Sequence, residues 1–321
     1  DRGQGILAAD ESYPYCKKRF DTISVESTEE NRRDYRELLF SSKGMNENIG
    51  GVILFDETIR QKTTLGLTIP ELISKHGAIP GIKVDKGAKL LAGSKDETVT
   101  EGLDGLRERL KEYYKLGARF TKWRAVYIIS KEYPSKLSII SNAHALARYA
   151  SICQEQGLVP IIEPEVIMAG DHDAQTCYNV TSLILSATFA ECQVQGVHMP
   201  GALLKPNMII SGNSCSEQIS REEVAQMTVD CLTKNVPHSL PGIVFLSGGQ
   251  SDEDATAHLN LMNAMDVVHP WQLSYSFGRA LLANALKTWA SGDNEGSQSV
   301  FLHRSKTVSY THLTLPTILL V

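Results

Sequence analysis

The chain has 321 residues, 42% hydrophobic and 21% charged, with a formal net charge of -5, a balance that excludes a disordered chain and offers no basic field to nucleic acid. No apolar stretch reaches the roughly 18 residues a bilayer span needs. No charged-then-apolar leader opens it, and its six cysteines are scattered without a C-x-x-C pair, which predicts reduced thiols in a cytoplasmic protein without membrane insertion. Small-molecule chemistry is the class that composition leaves.

Short apolar runs recur along the chain at regular intervals, too short for helices and too continuous for half-exposed strands. In order they are "GILAA" (5 to 9), "GVILF" (51 to 55), "IPGIKV" (79 to 84), "ARFTKW" (118 to 123), "LVPIIE" (158 to 163), "ALLKP" (202 to 206), "GIVFLS" (242 to 247) and "QLSYSF" (272 to 277). Between them, helical spacing predicts helices over 98 to 117, 135 to 156, 173 to 195, 217 to 235, 252 to 266 and 279 to 290, each starting near a serine, aspartate or threonine suited to capping. Eight strand–helix units in about 290 residues fit a closed (β/α)8 barrel better than an open doubly wound sheet. No G-x-G-x-x-G follows the first strand, which weakens the dinucleotide-binding alternative. Residues 1 to 296 are expected to form one α/β domain.

In such a barrel the chemistry sits at the C-terminal mouth of the strands. Asp10 and Ser12 follow the first strand, Lys83 lies in the third, Lys122 and Arg124 mark the fourth, and Glu163 and Glu165 mark the fifth. Lys205 lies in the sixth, Ser247-Gly248-Gly249 ends the seventh, and the eighth leads to Arg279. A buried ammonium is costly unless paired or neutralised, so lysines inside apolar strands need an explanation. An ion-pair network with Asp10, Glu163 and Glu165 is one. A nucleophilic lysine is another: burial and a neighbouring cation favour the neutral amine, which attacks a carbonyl to form a Schiff base, while carboxylates move the protons. The glycine-rich "LSGGQS" with Arg279, and Lys83 with Arg19, suggest a strongly anionic ligand.

The motifs "GILAADES", "GGVILFDET", "GIKVDKG", "TKWR", "ARYASICQ", "PIIEPEV", "LLKPNM", "FLSGGQS" and "SFGRAL" resemble, in this order, those of class I fructose-1,6-bisphosphate aldolase, over about residues 3 to 290. That resemblance implies a (β/α)8 barrel, usually a cytosolic homotetramer, that cleaves fructose 1,6-bisphosphate reversibly to dihydroxyacetone phosphate and glyceraldehyde 3-phosphate without a metal or other cofactor. It implies Lys205 as the Schiff-base lysine, with Lys122 assisting the neutral amine and the carbinolamine chemistry. Glu163 would be the main general acid and base, with Glu165 beside it, and Asp10 would take the C4 hydroxyl proton. Ser247, Gly248 and Arg279 resemble the C1-phosphate site. Lys83, Arg124, Ser12 and Arg19 resemble the C6-phosphate end.

The chain also departs from the family. After "ADES" the family usually continues with Thr, Gly and Ser or Thr, whereas here Tyr13-Pro14-Tyr15 follows, which predicts weaker phosphate binding at that end. A further N-terminal helical segment is expected before Asp1. Residues 297 to 307 would begin the C-terminal region. The family ends in a flexible tail whose terminal tyrosine assists proton exchange, but "VSYTHLTLPTILLV" (308 to 321) lacks it and resembles one reading frame of a transposase adapter, so that segment is expected to be non-native.

Two other functions compete. A zinc-dependent aldolase would use His172 between Asp171 and Asp173, although these aspartates are simpler as helix caps. A non-catalytic scaffold on the same fold would bind cytoskeletal or pump partners.

Overall fold

The computed structural model describes residues 3–266 and 269–312. Eight parallel strands close into a barrel: β1 (Gly5–Ala9), β2 (Ile49–Leu54), β3 (Ile79–Lys83), β6 (Phe120–Tyr127), β7 (Val159–Val166), β8 (Leu203–Leu204), β9 (Gly242–Phe245) and β10 (Gln272–Phe277), the last pairing back onto β1. A separate antiparallel hairpin, β4 (Ala88–Leu90) with β5 (Thr98–Thr100), stands on the loop after β3. The helices are α1 (Tyr13–Asp21), α2 (Glu29–Phe40), α3 (Asp56–Arg60), α4 (Ile69–Lys75), α5 (Leu106–Lys115), α6 (Lys136–Glu155), α7 (Ala174–Val194), α8 (Arg221–Asn235), α9 (Asp252–Ala264), α10 (Arg279–Ala290) and α11 (Asn294–Ser309). The last of these runs unbroken across 296–297 and 307–308, and Val308 is fully buried; residues 313–321 of the C-terminal segment lie outside the described residues.

The expected caps hold for four of the six predicted helices, whereas α5 starts at Gly105 and α10 at Gly278 with no side-chain cap. Ser135, Asp173, Ser220 and Ser251 each accept a hydrogen bond from the backbone N–H three residues on. Ser220 and Glu223 complete a capping box, satisfying two otherwise unpaired N–H groups. The helix expected over 98 to 117 is shorter than its spacing suggests. Thr98-Val99-Thr100 is a strand, as β-branched residues favour, and Gly102 (φ +130°) and Gly105 (φ +65°) break the chain before α5. Thr100 is then tied down, its N–H donating to Asn142 Oδ1 and its hydroxyl to the Arg124 carbonyl. Four helices, α1 to α4, occupy the first two crossovers, where the sequence pattern gave no helix bounds.

Two apolar layers hold the barrel. The larger one lies between strands and helices; the smaller, inside the barrel, joins Ala8, Ile53, Phe120, Ile161 and Val244. Phe120 fills the floor so tightly that a Cβ on Gly81 would lie 2.3 Å from its ring, so glycine is required there by close approach. Side chains alternate along a strand, so the next inward residues toward the mouth are two positions on: Asp10, Lys122 and Glu163 follow Ala8, Phe120 and Ile161. A charged layer therefore stands directly on an apolar floor.

Candidate active site

Lys205 is positioned by an irregular strand. β8 has only two residues, yet the Lys205 N–H still donates to the Ile162 carbonyl (2.8 Å), and the Pro206 carbonyl accepts from Leu246 N–H (3.1 Å). Pro206 has no N–H, and the side chain of Asn207 takes over the ladder, accepting from Val166 N–H (3.0 Å) and donating to Thr181 (3.2 Å). The "KPN" order thus ends the strand and clamps the lysine between β7 and β9.

Four titratable groups form a chain across the mouth. Lys205 Nζ is 3.1 Å from Glu163 Oε1, Lys122 Nζ is 3.0 Å from Glu163 Oε2, and Lys122 Nζ is 2.7 Å from Asp10 Oδ2. Lys205, Lys122 and Glu163 are buried and the Asp10 side chain is nearly so. Glu163 Oε2 accepts no well-aligned hydrogen bond from the protein, leaving a lone pair free.

Burial opposes charge on Asp10, Glu163 and Lys122, and the opposite charges outweigh it. Desolvation would raise Asp10, but Lys122, Lys205 and Lys83 hold its carboxyl well below the usual range. Desolvation would likewise raise Glu163, but Lys122, Lys205 and Arg124 pull it down. Desolvation would lower Lys122, but Asp10, Glu163 and Asp85 push it up. At neutral pH both carboxylates are ionised and Lys122 is charged. Such a centre can remove a proton from an amine at one end and from a hydroxyl at the other.

The other expected residues lie around this chain in two groups. Glu165 faces the same way as Glu163 but pairs with Arg124 Nε at 2.5 Å, so it is set apart from the lysines. Lys83 is partly exposed, 3.5 Å from Asp85 and 5.9 Å from the ring centre of Phe55. Arg19 pairs with Glu11 at 2.5 Å, and Ser12 is the N-cap of α1 with its hydroxyl making no cap bond. On the opposite side, Gly248 and Gly249 take consecutive left-handed conformations (φ +58° and +86°), and Arg279 Nη2 would lie 3.1 Å from a Cβ on Gly249. Ser247, the two glycines and Arg279 therefore converge. The two glycines make a tight turn closed by Gln250 N–H donating to the Ser247 carbonyl (3.0 Å), and a turn of this kind can present backbone N–H groups to an anion.

Several supporting residues were not among those singled out in the sequence. Gln250 donates to the Ser247 carbonyl (2.9 Å) and pairs with His258 Nδ1 (2.7 Å), which fixes the glycine loop. Arg36, buried in α2, donates to Thr58 and to the Glu11 carbonyl, and Arg32 grips Glu57, so α2 braces the Asp10-Glu11 step. A buried arginine pair one turn apart in "NRRDYR" was the available signal. Asp173 Oδ1 accepts from Thr176 N–H at 2.7 Å as the cap of α7, and burial lowers the pKa of His172. Among the described residues no three His, Cys, Asp or Glu side chains converge as a metal ligand set.

Fold and site together define a (β/α)8 enzyme built around a buried lysine–carboxylate chain. A family model for class-I fructose-bisphosphate aldolase matches residues 1–315. The chain is 56% identical over 307 residues to the "Probable fructose-bisphosphate aldolase class 1" of Xanthomonas campestris pv. campestris, covering 95% of this chain and 92% of that protein. It is 53% identical to "Fructose-bisphosphate aldolase 5, cytosolic" of Arabidopsis thaliana, covering 95% of this chain and 85% of that protein. Among solved structures, fructose-bisphosphate aldolase from Plasmodium falciparum, in a complex with TRAP and a small-molecule inhibitor, superposes with a TM-score of 0.95 at 48% identity, covering 97% of this chain and 91% of that one. The chain belongs to the class I fructose-bisphosphate aldolase family, carbon–carbon lyases that work through a lysine Schiff base.

Proposed function

We propose that Lys205 is the nucleophile that attacks the C2 ketone of fructose 1,6-bisphosphate. Glu163, 3.1 Å away, takes the proton released from the attacking amine and returns it to the carbinolamine hydroxyl, which leaves as water and gives the iminium. Lys122, held charged, stabilises negative charge on that oxygen before it is protonated. Asp10 takes the C4 hydroxyl proton as the C3–C4 bond breaks. The bonding electrons enter the iminium to give an enamine, and glyceraldehyde 3-phosphate departs. Protonation of the enamine at C3 and hydrolysis of the imine then release dihydroxyacetone phosphate and restore Lys205. Ser247, Gly248 and Arg279 hold the C1 phosphate. Lys83, Arg124, Arg19 and Ser12 line the C6 end, and Glu165 orients Arg124 there.

The bridging of Lys205 and Lys122 by Glu163 is the observation that carries these roles. Borohydride added with fructose 1,6-bisphosphate is expected to leave a reduced adduct on Lys205, mapped by mass spectrometry, with cleavage insensitive to chelator. An adduct on another lysine, or chelator-sensitive cleavage without an adduct, refutes the assignment.

A cytoplasmic homotetramer completes the proposal. A cytosolic relative supports the compartment, and exposed Leu137 and Ile140 on α6 with Leu183 and Val194 on α7 supply apolar surface for subunit contacts. Light scattering after gel filtration is expected to give four times the 35.3 kDa chain mass.

A further inference from the structure

Strand pairing between β3 and β6 stops early, at Lys83↔Lys122, and beyond it the chain turns away toward the β4–β5 hairpin. The Asp85 side chain stands where the ladder is missing. Its Oδ2 accepts from Arg124 N–H (3.3 Å), its Oδ1 accepts from Gly87 N–H (3.1 Å), and Lys83 Nζ lies 3.5 Å from the same Oδ1. The side chain is 2% exposed. The backbone beneath it is held, because Arg109 donates to the Val84 carbonyl (2.8 Å) and to the Gly102 carbonyl (2.5 Å), and a Cβ on Gly102 would lie 2.9 Å from Lys86 N.

The charged groups around Lys122 come from every strand beside it. Asp10 follows β1, Glu163 lies on β7, Lys205 follows β8, Lys83 ends β3 with Asp85 just beyond, and Arg124 is two residues on along β6 itself. Asp10, Glu163 and Asp85 are the carboxylates that favour charge on Lys122 against its burial. Two of these three carry protons in the proposed reaction: Glu163 holds one while the imine forms, and Asp10 holds one while the C3–C4 bond breaks. At each of those moments a contact partner of Lys122, at 3.0 Å or at 2.7 Å, turns neutral, while the burial that opposes the ammonium is unchanged. Asp85 lies off that route. Its contacts among the described residues are donors, two N–H groups and the Lys83 ammonium, and none is Lys205.

We infer that Asp85 is a positioning residue for the reaction, a buried carboxylate off the proton route that keeps Lys122 an ammonium while Glu163 and Asp10 take up and release protons in turn. The inference rests on the proposed function, which assigns those two carriers. A staple that merely joined β3 to β6 would need acceptor atoms only, whereas Lys122 needs the charge.

Asp85→Asn keeps the shape and one acceptor oxygen and removes the charge, and Asp85→Glu keeps the charge on a longer stem. The test is kcat for fructose 1,6-bisphosphate cleavage from about pH 6 to about pH 10, with borohydride trapping on Lys205 in each protein. In Asp85→Asn, kcat at neutral pH is expected to fall about 10–100-fold, and its alkaline decline to begin at least about one pH unit below the parent's, as Lys122 loses its proton in the loaded enzyme. In Asp85→Glu the alkaline decline is expected where the parent has it, whatever the value of kcat. A kcat in Asp85→Asn within about threefold of the parent, or a loss that is even across the pH range, overturns the inference and leaves the Lys205 chemistry standing. A decline in Asp85→Glu displaced as far as in Asp85→Asn overturns it as well. If Asp85→Asn does not fold, Asp85→Ser, with a hydroxyl acceptor and no charge, is measured in its place with the same expected and refuting results. Absence of a Lys205 adduct in the parent overturns the proposed function and the inference with it.

Discussion

Replacing Lys122 by methionine keeps the apolar stem and removes the charge between Asp10 and Glu163. Both carboxylates would then be buried, with Lys205 as the remaining lysine in contact with Glu163 at 3.1 Å and none in contact with Asp10 among the ion pairs of the described residues. Breaking a buried ion pair from one side costs about 3–5 kcal/mol, and because a carboxyl can neutralise by taking a proton, the lower figure is expected at pH 7. The pH dependence is diagnostic. In the parent, Asp10 and Glu163 have folded pKa values below their unfolded ones, so their contribution is present above about pH 4 and is lost as pH falls through the lowered values. In Lys122→Met, desolvation of Asp10 loses its largest opposition, leaving only Lys205 and Lys83 against it, and the folded pKa is expected to rise above the unfolded one. The folded variant then binds a proton that the unfolded chain does not, and gains about 1.4 kcal/mol of stability per pH unit on acidification down to about pH 4. Urea unfolding of parent and variant at pH 7 and pH 5 should show a gap of about 3 kcal/mol that narrows by about 1–3 kcal/mol. A gap below about 1 kcal/mol at both pH values would refute the description of Lys122 as the cation that keeps both carboxylates ionised.

Glu163→Gln removes the proposed proton acceptor beside Lys205, and single-turnover imine formation should slow by about 10²–10³-fold; a loss under about tenfold contradicts the proposed role as base. Arg279→Ala deletes the uncommitted guanidinium at the glycine loop and should raise KM for fructose 1,6-bisphosphate by about 10–100-fold with little change in kcat, read by a coupled triose phosphate assay. Phe120→Ala empties the barrel floor and should cost about 3–5 kcal/mol in urea unfolding; a loss under about 1 kcal/mol would mean the floor is filled by something else.

The barrel was legible because its strands are buried on both faces, so they read as continuous apolar runs whose spacing counts the units. "GILAA" and "QLSYSF" match β1 and β10 residue for residue. The runs could not show where pairing stops. β6 continues to Tyr127, four residues beyond the expected end, because it stays paired with β7 through Tyr127↔Val166 after its pairing with β3 has stopped at Lys122. β8 stops at Leu204 because proline interrupts the ladder two residues on. Helical spacing misled at Val99 and Leu103, which keep the right intervals while two left-handed glycines keep them off α5.

Which charges meet was less legible than which charges face inward. Period two puts Glu163 and Glu165 on one face, and both do point into the mouth. Their partners are decided by height and by the neighbouring strand. Lys122 on β6 lies at the level of Ile161, so its long side chain reaches up to Glu163, while Arg124, registered with Glu163, reaches up to Glu165. Lys205, just past the end of the clamped β8, is level with Glu163 and meets its other oxygen sideways. Each of the two β6 cations takes the β7 carboxylate one step above it, and with Lys205 level with Glu163 the lower carboxylate has two lysines and the upper one an arginine. Two glutamates on one face of one strand thereby end in different surroundings: Glu163 deep against the amines where a proton can be exchanged, Glu165 fixed at the rim where it holds a guanidinium in place. A strand register is needed for that distinction, and a register is a property of the closed sheet that no single run of sequence contains.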